Sequence, residues 1–151
     1  MSHRAQQIVE AVVAALQADT ALGATVYTHR QYSLSEADQE LPAVSVRIGS
    51  DMPTGEFGPD NFAFIDSVLE LVVEISVKAG DEQTAANSLL DLRRRVHIDL
   101  MADRTQALSF VMDTRYGGAT APDFDVSTDR PVARLETRWG VFYRMNLTDP
   151  N

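Results

Sequence analysis

The chain has 151 residues, a formal net charge of −9, 44% hydrophobic and 23% charged residues. That balance suits one folded domain, since a chain of this size buries about 68–70% of its unfolded surface and needs no staples. The absence of cysteine excludes disulfides, thiolate metal sites and cysteine nucleophiles. Twenty-two acidic against thirteen basic side chains argue against a protein that wraps nucleic acid. No run approaches the roughly 20 apolar residues of a membrane span. An amphipathic start in place of an apolar leader makes intracellular synthesis the expectation.

In chain order, Ile8, Val9, Val12, Val13 and Leu16 form one stripe of a first helix over 3–18, opposite Gln6, Gln7, Glu10 and Gln17. Thr25 to Arg30 reads as a short strand entering an acidic loop around Glu36, Asp38 and Glu40. From Pro42 onward Val44, Val46 and Ile48 alternate with Ser45, Arg47 and Gly49, the pattern of a half-buried strand. Residues 49–61 hold three glycines and two prolines and read as a long loop, of a length that commonly carries function. It presents Asp51, Glu56 and Asp60, and exposes Met52 and Phe57 unless a partner covers them.

Next, Leu69, Leu71, Val73, Ile75 and Val77 share one strand face with Glu70, Glu74 and Ser76 opposite. Ala85, Leu89, Leu92, Val96 and Leu100 trace a second helix over 82–102. Leu108 to Met112 reads as another strand, followed by Tyr116-Gly117-Gly118 and an acidic loop with Asp123, Asp125 and Asp129. In the last strand Ala133, Leu135, Trp139, Val141, Tyr143, Met145 and Leu147 face one way, Arg134, Glu136, Arg138 and Arg144 the other. Strands that alternate are half-buried, which predicts an α+β two-layer sandwich: a mainly antiparallel sheet with two principal helices packed on one face.

Catalytic patterns are scarce. There is no Gly-rich phosphate loop and no strand–turn–helix Ser elbow. Of His3, His29 and His97, only His97 has a nearby carboxylate, Asp99, and on a helix those two point apart. Asp123, Asp125, Ser127 and Asp129 open like a calcium loop, yet Thr128 stands where glycine is required and Arg134 where glutamate is required. No catalytic residue, cofactor or metal site is expected. Arg93-Arg94-Arg95 is the one basic run, and a helix spreads it around much of its circumference. Ordinary pairing with Asp91 and Asp99 competes there with an inter-subunit arginine contact. Trp139 falls on the apolar face and is expected in the core, whereas Phe142 lies on the polar face beside Arg138 and calls for a cover, such as a neighbouring subunit.

The order Arg4, Ile8, Val12, Leu16, then Tyr27-Thr28-His29-Arg30, Glu36-Ala37-Asp38, Leu41-Pro42-Ala43-Val44-Ser45-Val46, the acidic loop 51–61, and Leu69-Glu70-Leu71 with Glu74-Ile75 carries a resemblance. It resembles the tail terminator proteins of long-tailed bacteriophages, the lambda minor tail protein U group. The similarity is one of pattern over nearly the whole chain, and the acidic loop joined to Leu-Pro-Ala-Val-x-Val is its most telling piece. The chain is longer than that pattern in its second helix and over 118–130.

The resemblance implies a non-enzymatic protein, without cofactor, that forms a homo-hexameric ring on the end of the tail tube. Such a ring stops tube polymerisation and presents the joining surface for the head connector. The implied partners are further copies of the chain, the tail tube protein and the head–tail connector protein. Genome DNA would pass transiently through the lumen, no membrane is involved, and the protein would be assembled in the host cytoplasm and reside in the tail-neck region of the virion. Partner contacts are expected at Asp51, Met52, Glu56, Phe57, Asp60, Arg93, Arg94, Arg138 and Phe142. Residues 1–80 hold 4 basic and 11 acidic side chains, so the acid of loop 49–61 is expected to face tube or lumen and let DNA slide. A head-completion or neck-connector ring is the near alternative. A small α+β ligand-binding domain or enzyme using His97 and Asp99 is the distant one.

Overall fold

Helix α1 (Arg4–Ala18) starts where the His3 imidazole Nδ1 accepts the Ala5 backbone N–H at 3.1 Å, and it buries Ile8, Val9, Val12 and Leu16. A short 3-10 turn, Thr20–Leu22, leads to strands β1 (Thr25–Thr28), β2 (Ala43–Pro53) and β3 (Phe64–Lys78). Helix α2 (Glu82–Ala102) is capped by the Asp81 carboxylate, which accepts the Thr84 N–H at 2.8 Å. Strands β4 (Val111–Ala119), β5 (Asp123–Asp125) and β6 (Val132–Asn146) complete the order. This computed structural model describes residues 2–22, 24–28, 41–54, 63–125 and 132–151.

The six strands form one sheet in the order β1-β2-β3-β6-β4, with β5 continuing the β4 edge alongside β6. Only the β1–β2 pair is parallel; every other pair is antiparallel. The fold is therefore α+β, with a mainly antiparallel sheet. Register fixes which face is dry: Val46 opposes Val73, Ile75 opposes Leu135, Leu71 opposes Trp139, and Leu69 opposes Val141. All of these are buried in the same cluster as the apolar stripes of α1 and α2, which places both helices on one side of the sheet. The burial of each large aliphatic or aromatic side chain there contributes about 1.5–3 kcal/mol.

Five expectations need correction. Residues 49–53 are not loop: β2 runs on to Pro53, with a bulge between Ile48 and Ser50 at Gly49. The glycine that reads as a loop signal sits at this bulge, where an added Cβ would press on the Glu70 carboxylate and on Val72 Cγ2. Residues 55–61 of the expected loop lie outside the described residues. The strand expected at Leu108 to Met112 begins only at Val111, because turns occupy 104–107 and 109–110, with Gln106 and Ala107 in the left-handed region. Tyr116-Gly117-Gly118 belongs to that strand; a second bulge falls between Tyr116 and Gly118, and Gly118 takes a φ of +110°. Asp123 and Asp125 form β5 instead of a loop, and Leu147 lies beyond the end of β6, 45% exposed.

Candidate docking surfaces

The side of the sheet away from the helices is held by charge. The Arg47 guanidinium bridges Glu136 Oε1 at 2.7 Å and Glu74 Oε2 at 3.7 Å, while Arg138 reaches Glu70 Oε1 at 2.9 Å and Glu136 Oε2 at 3.7 Å. Five residues on β2, β3 and β6 thus form one network, because period-2 alternation puts every second residue of each strand on this face. Further along, Arg144 grips Asp66 through both carboxylate oxygens, at 2.7 and 3.1 Å, and holds that carboxyl below its ordinary pKa. Asp113 is likewise lowered, chiefly by hydrogen bonds from Arg104 at 2.6 and 2.8 Å.

Between these ion pairs runs an apolar row. Met52 opposes Val68, and Val68 opposes Phe142, so three strands contribute one side chain each. Met52 is 62% exposed. Phe142 is half-buried, and the Arg115 guanidinium of the same chain sits 4.6 Å from its ring centre, supplying part of the cover its position calls for. Phe64 and Met112, 45% and 47% exposed, add apolar surface at the same end of the sheet, where β3 and β4 begin.

The expected contact residues divide between two surfaces. Met52, Arg138 and Phe142 meet on the outer sheet face. Asp51 is on β2 beside them but opposes Leu69 of the core face, and its Oδ2 accepts the Tyr143 hydroxyl at 2.7 Å. Burial first and that carboxylate second raise the Tyr143 phenol above its ordinary pKa. Arg93 and Arg94 lie on α2, on the other side of the sheet; Arg93 donates to the Tyr116 hydroxyl at 2.6 Å, and Arg94 is exposed. Glu56, Phe57 and Asp60 lie outside the described residues. Arg115, Phe64, Leu90 and Ile98 were missed by sequence reasoning. Arg115 is hidden in the sequence because Gly117 and Gly118 interrupt its strand pattern, and the helix pair because both residues lie off the buried apolar stripe.

His97 is exposed on α2, with its ring centre 5.1 Å from Tyr116 and 5.2 Å from Trp139. Asp99 points elsewhere, toward Asp19 at the end of α1. Arg95, expected to pair with Asp91 or Asp99, instead clamps Asp19 at 2.8 and 3.2 Å. That contact holds Asp19 down at about 2, while desolvation and the neighbouring Asp19 push Asp99 up to about 6. Trp139 is buried as expected, its indole N–H donating to Thr137 Oγ1 at 2.9 Å. Among the described residues no group of three or more His, Asp and Glu side chains is placed to hold a metal ion, and no helix is long and apolar enough to cross a membrane.

No family model matches the chain, and no curated protein matches it. Among solved structures, a chain from the virion of a native gene transfer agent particle is similar over 88% of this chain and 92% of its own length, at 16% identity and a TM-score of 0.48.

Proposed function

We propose that the protein is a virion structural protein of the bacteriophage type, and specifically a tail terminator. In this reading six copies close into a ring on the end of the tail tube, stop its growth and present the surface on which the head connector docks. It acts by shape and charge and catalyses no reaction. The observation that carries the reading is the outer sheet face: an apolar row, exposed at Met52 and half-buried at Val68 and Phe142, framed by Arg–carboxylate pairs. Such a face offers apolar surface inside a charged frame, which suits a docking contact with an apolar middle and a charged rim. The observed α+β architecture supports the same reading, since it is the one implied by the resemblance to tail terminators.

The test is tube capping. Added to polymerising tail tube protein, the chain should shorten the tubes and appear as a ring at one end in negative-stain images. Met52→Ser with Phe142→Ser should abolish capping while the protein stays folded. Capping that survives this double substitution removes the sheet face from the contact. Binding to portal-side protein in preference to tube protein would reassign the chain to a neck-connector ring.

A further inference from the structure

Helix α2 carries a different depression on each flank. On one, Leu90, Arg93, Arg94, His97 and Ile98 line a shallow hollow of about 360 Å³. Leu90 and Ile98 are 51% and 44% exposed, and neither Arg93 nor Arg94 has a carboxylate partner among the described residues. An unpaired basic flank on a chain of net charge −9 is suited to an acidic surface. On the other flank, Ala11, Ala14, Ala15 and Ala102 line a groove of about 450 Å³ between α1 and α2, with Asp99 and Asp103 on its wall. Among the described residues Asp99 Oδ2 is buried there without a hydrogen-bond partner, and the neighbouring Arg95 guanidinium is occupied by Asp19. Small side chains along a groove let another helix approach closely.

We propose that these two flanks are the two halves of one head-to-tail contact. Leu90, Arg94 and Ile98 recur every four residues and so stand as one ridge at the edge of that hollow; this ridge of one copy seats in the alanine-lined groove of the next, bringing Arg93 and Arg94 against Asp99 and Asp103. This inference rests on the ring reading above and supplies the contact that would build the ring. A contact between two unlike surfaces is heterologous, and such contacts close into rings when the rotation permits. Arg94 and Asp99, five residues apart on a helix, point roughly 140° apart around its axis. The two surfaces therefore face in different directions, as a head-to-tail contact requires.

Arg94 and Ala14 are exposed, so Arg94→Glu and Ala14→Arg leave the core intact. Each should weaken self-association about a hundredfold, seen by native mass spectrometry as monomer. An equimolar mixture of the two variants should form dimers and nothing larger, because one intact ridge and one intact groove remain between them. Wild-type assembly by either variant alone overturns the inference, as does a mixture that stays monomeric or a wild-type chain that never associates. A ring that persists in both variants and still caps tubes would sink this contact and leave the terminator reading standing. A wild-type ring that both variants block as described, yet that fails to cap tubes, would do the reverse.

Discussion

The two sides of the sheet use opposite chemistry. The side under α1 and α2 is closed by aliphatic and aromatic packing, and the indole N–H of Trp139 is satisfied there by Thr137. The other side is spanned by arginine–carboxylate pairs with an apolar row let into them. Stability is concentrated where water is excluded, because exposed ion pairs contribute little each. The charged face is therefore free to be specified by what it must recognise.

If the division holds, the largest effect belongs to the dry side. Trp139→Ala removes a side chain that is 1% exposed and packed against His97 and Tyr116. It should cost about 3–5 kcal/mol in denaturant unfolding. A change below 1 kcal/mol would show that this side is looser than its burial indicates. Thr137→Val should cost less, about 1–3 kcal/mol, because it strands the buried indole N–H without altering volume. If Thr137→Val proves neutral, water reaches the indole and the dry side is not dry.

Much of this division could be read in advance. Period-2 alternation in β3 and β6 assigned Leu69, Leu71, Trp139 and Val141 to the core and Glu70, Arg138 and Arg144 to the wet face, because a half-buried strand has no other way to divide its side chains. The helices were legible for the same reason. What failed was glycine. Gly49, Gly117 and Gly118 look like turn signals in one dimension, but here they allow bulges that keep a strand running past Glu70 or Arg138. The candidate contact surface was half legible: Met52 and Phe142 were singled out separately, yet only register shows that Val68 joins them. The pairing of Arg95 with Asp19 rather than with a helix neighbour depends on how α1 meets α2, which local spacing does not encode.

The junction of α1 and α2 places charge at the margin of the dry side. Asp99 has a folded pKa of about 6 against an ordinary 3.8, so between those values the folded protein binds more protons than the unfolded chain. Its contribution to stability is present below pH 4 and lost as pH rises through 6. Asp19, held at about 2, contributes in the opposite sense, above pH 4, and loses its contribution as pH falls through 2. Asp99→Asn should therefore raise Tm at pH 7.5 and bring the values at pH 5 and pH 7.5 closer together. An unchanged difference between those two pH values would mean that Asp99 is solvated and ordinary.

The smallest effect is expected on the charged face. Glu136→Gln breaks the contacts to Arg47 and Arg138, but each arginine keeps a second carboxylate, Glu74 at 3.7 Å and Glu70 at 2.9 Å. The loss should be about 0.2–1 kcal/mol and should shrink further in 1 M salt, where exposed charges are screened within a few ångströms. Yet the same substitution leaves each guanidinium with one carboxylate in place of two next to the Met52–Val68–Phe142 row, so docking should suffer more than folding does. Urea midpoints and tube capping measured on one preparation separate the two: a variant that loses stability and capping in the same proportion would mean that the network holds the fold together, and that the two faces are not divided in their work after all.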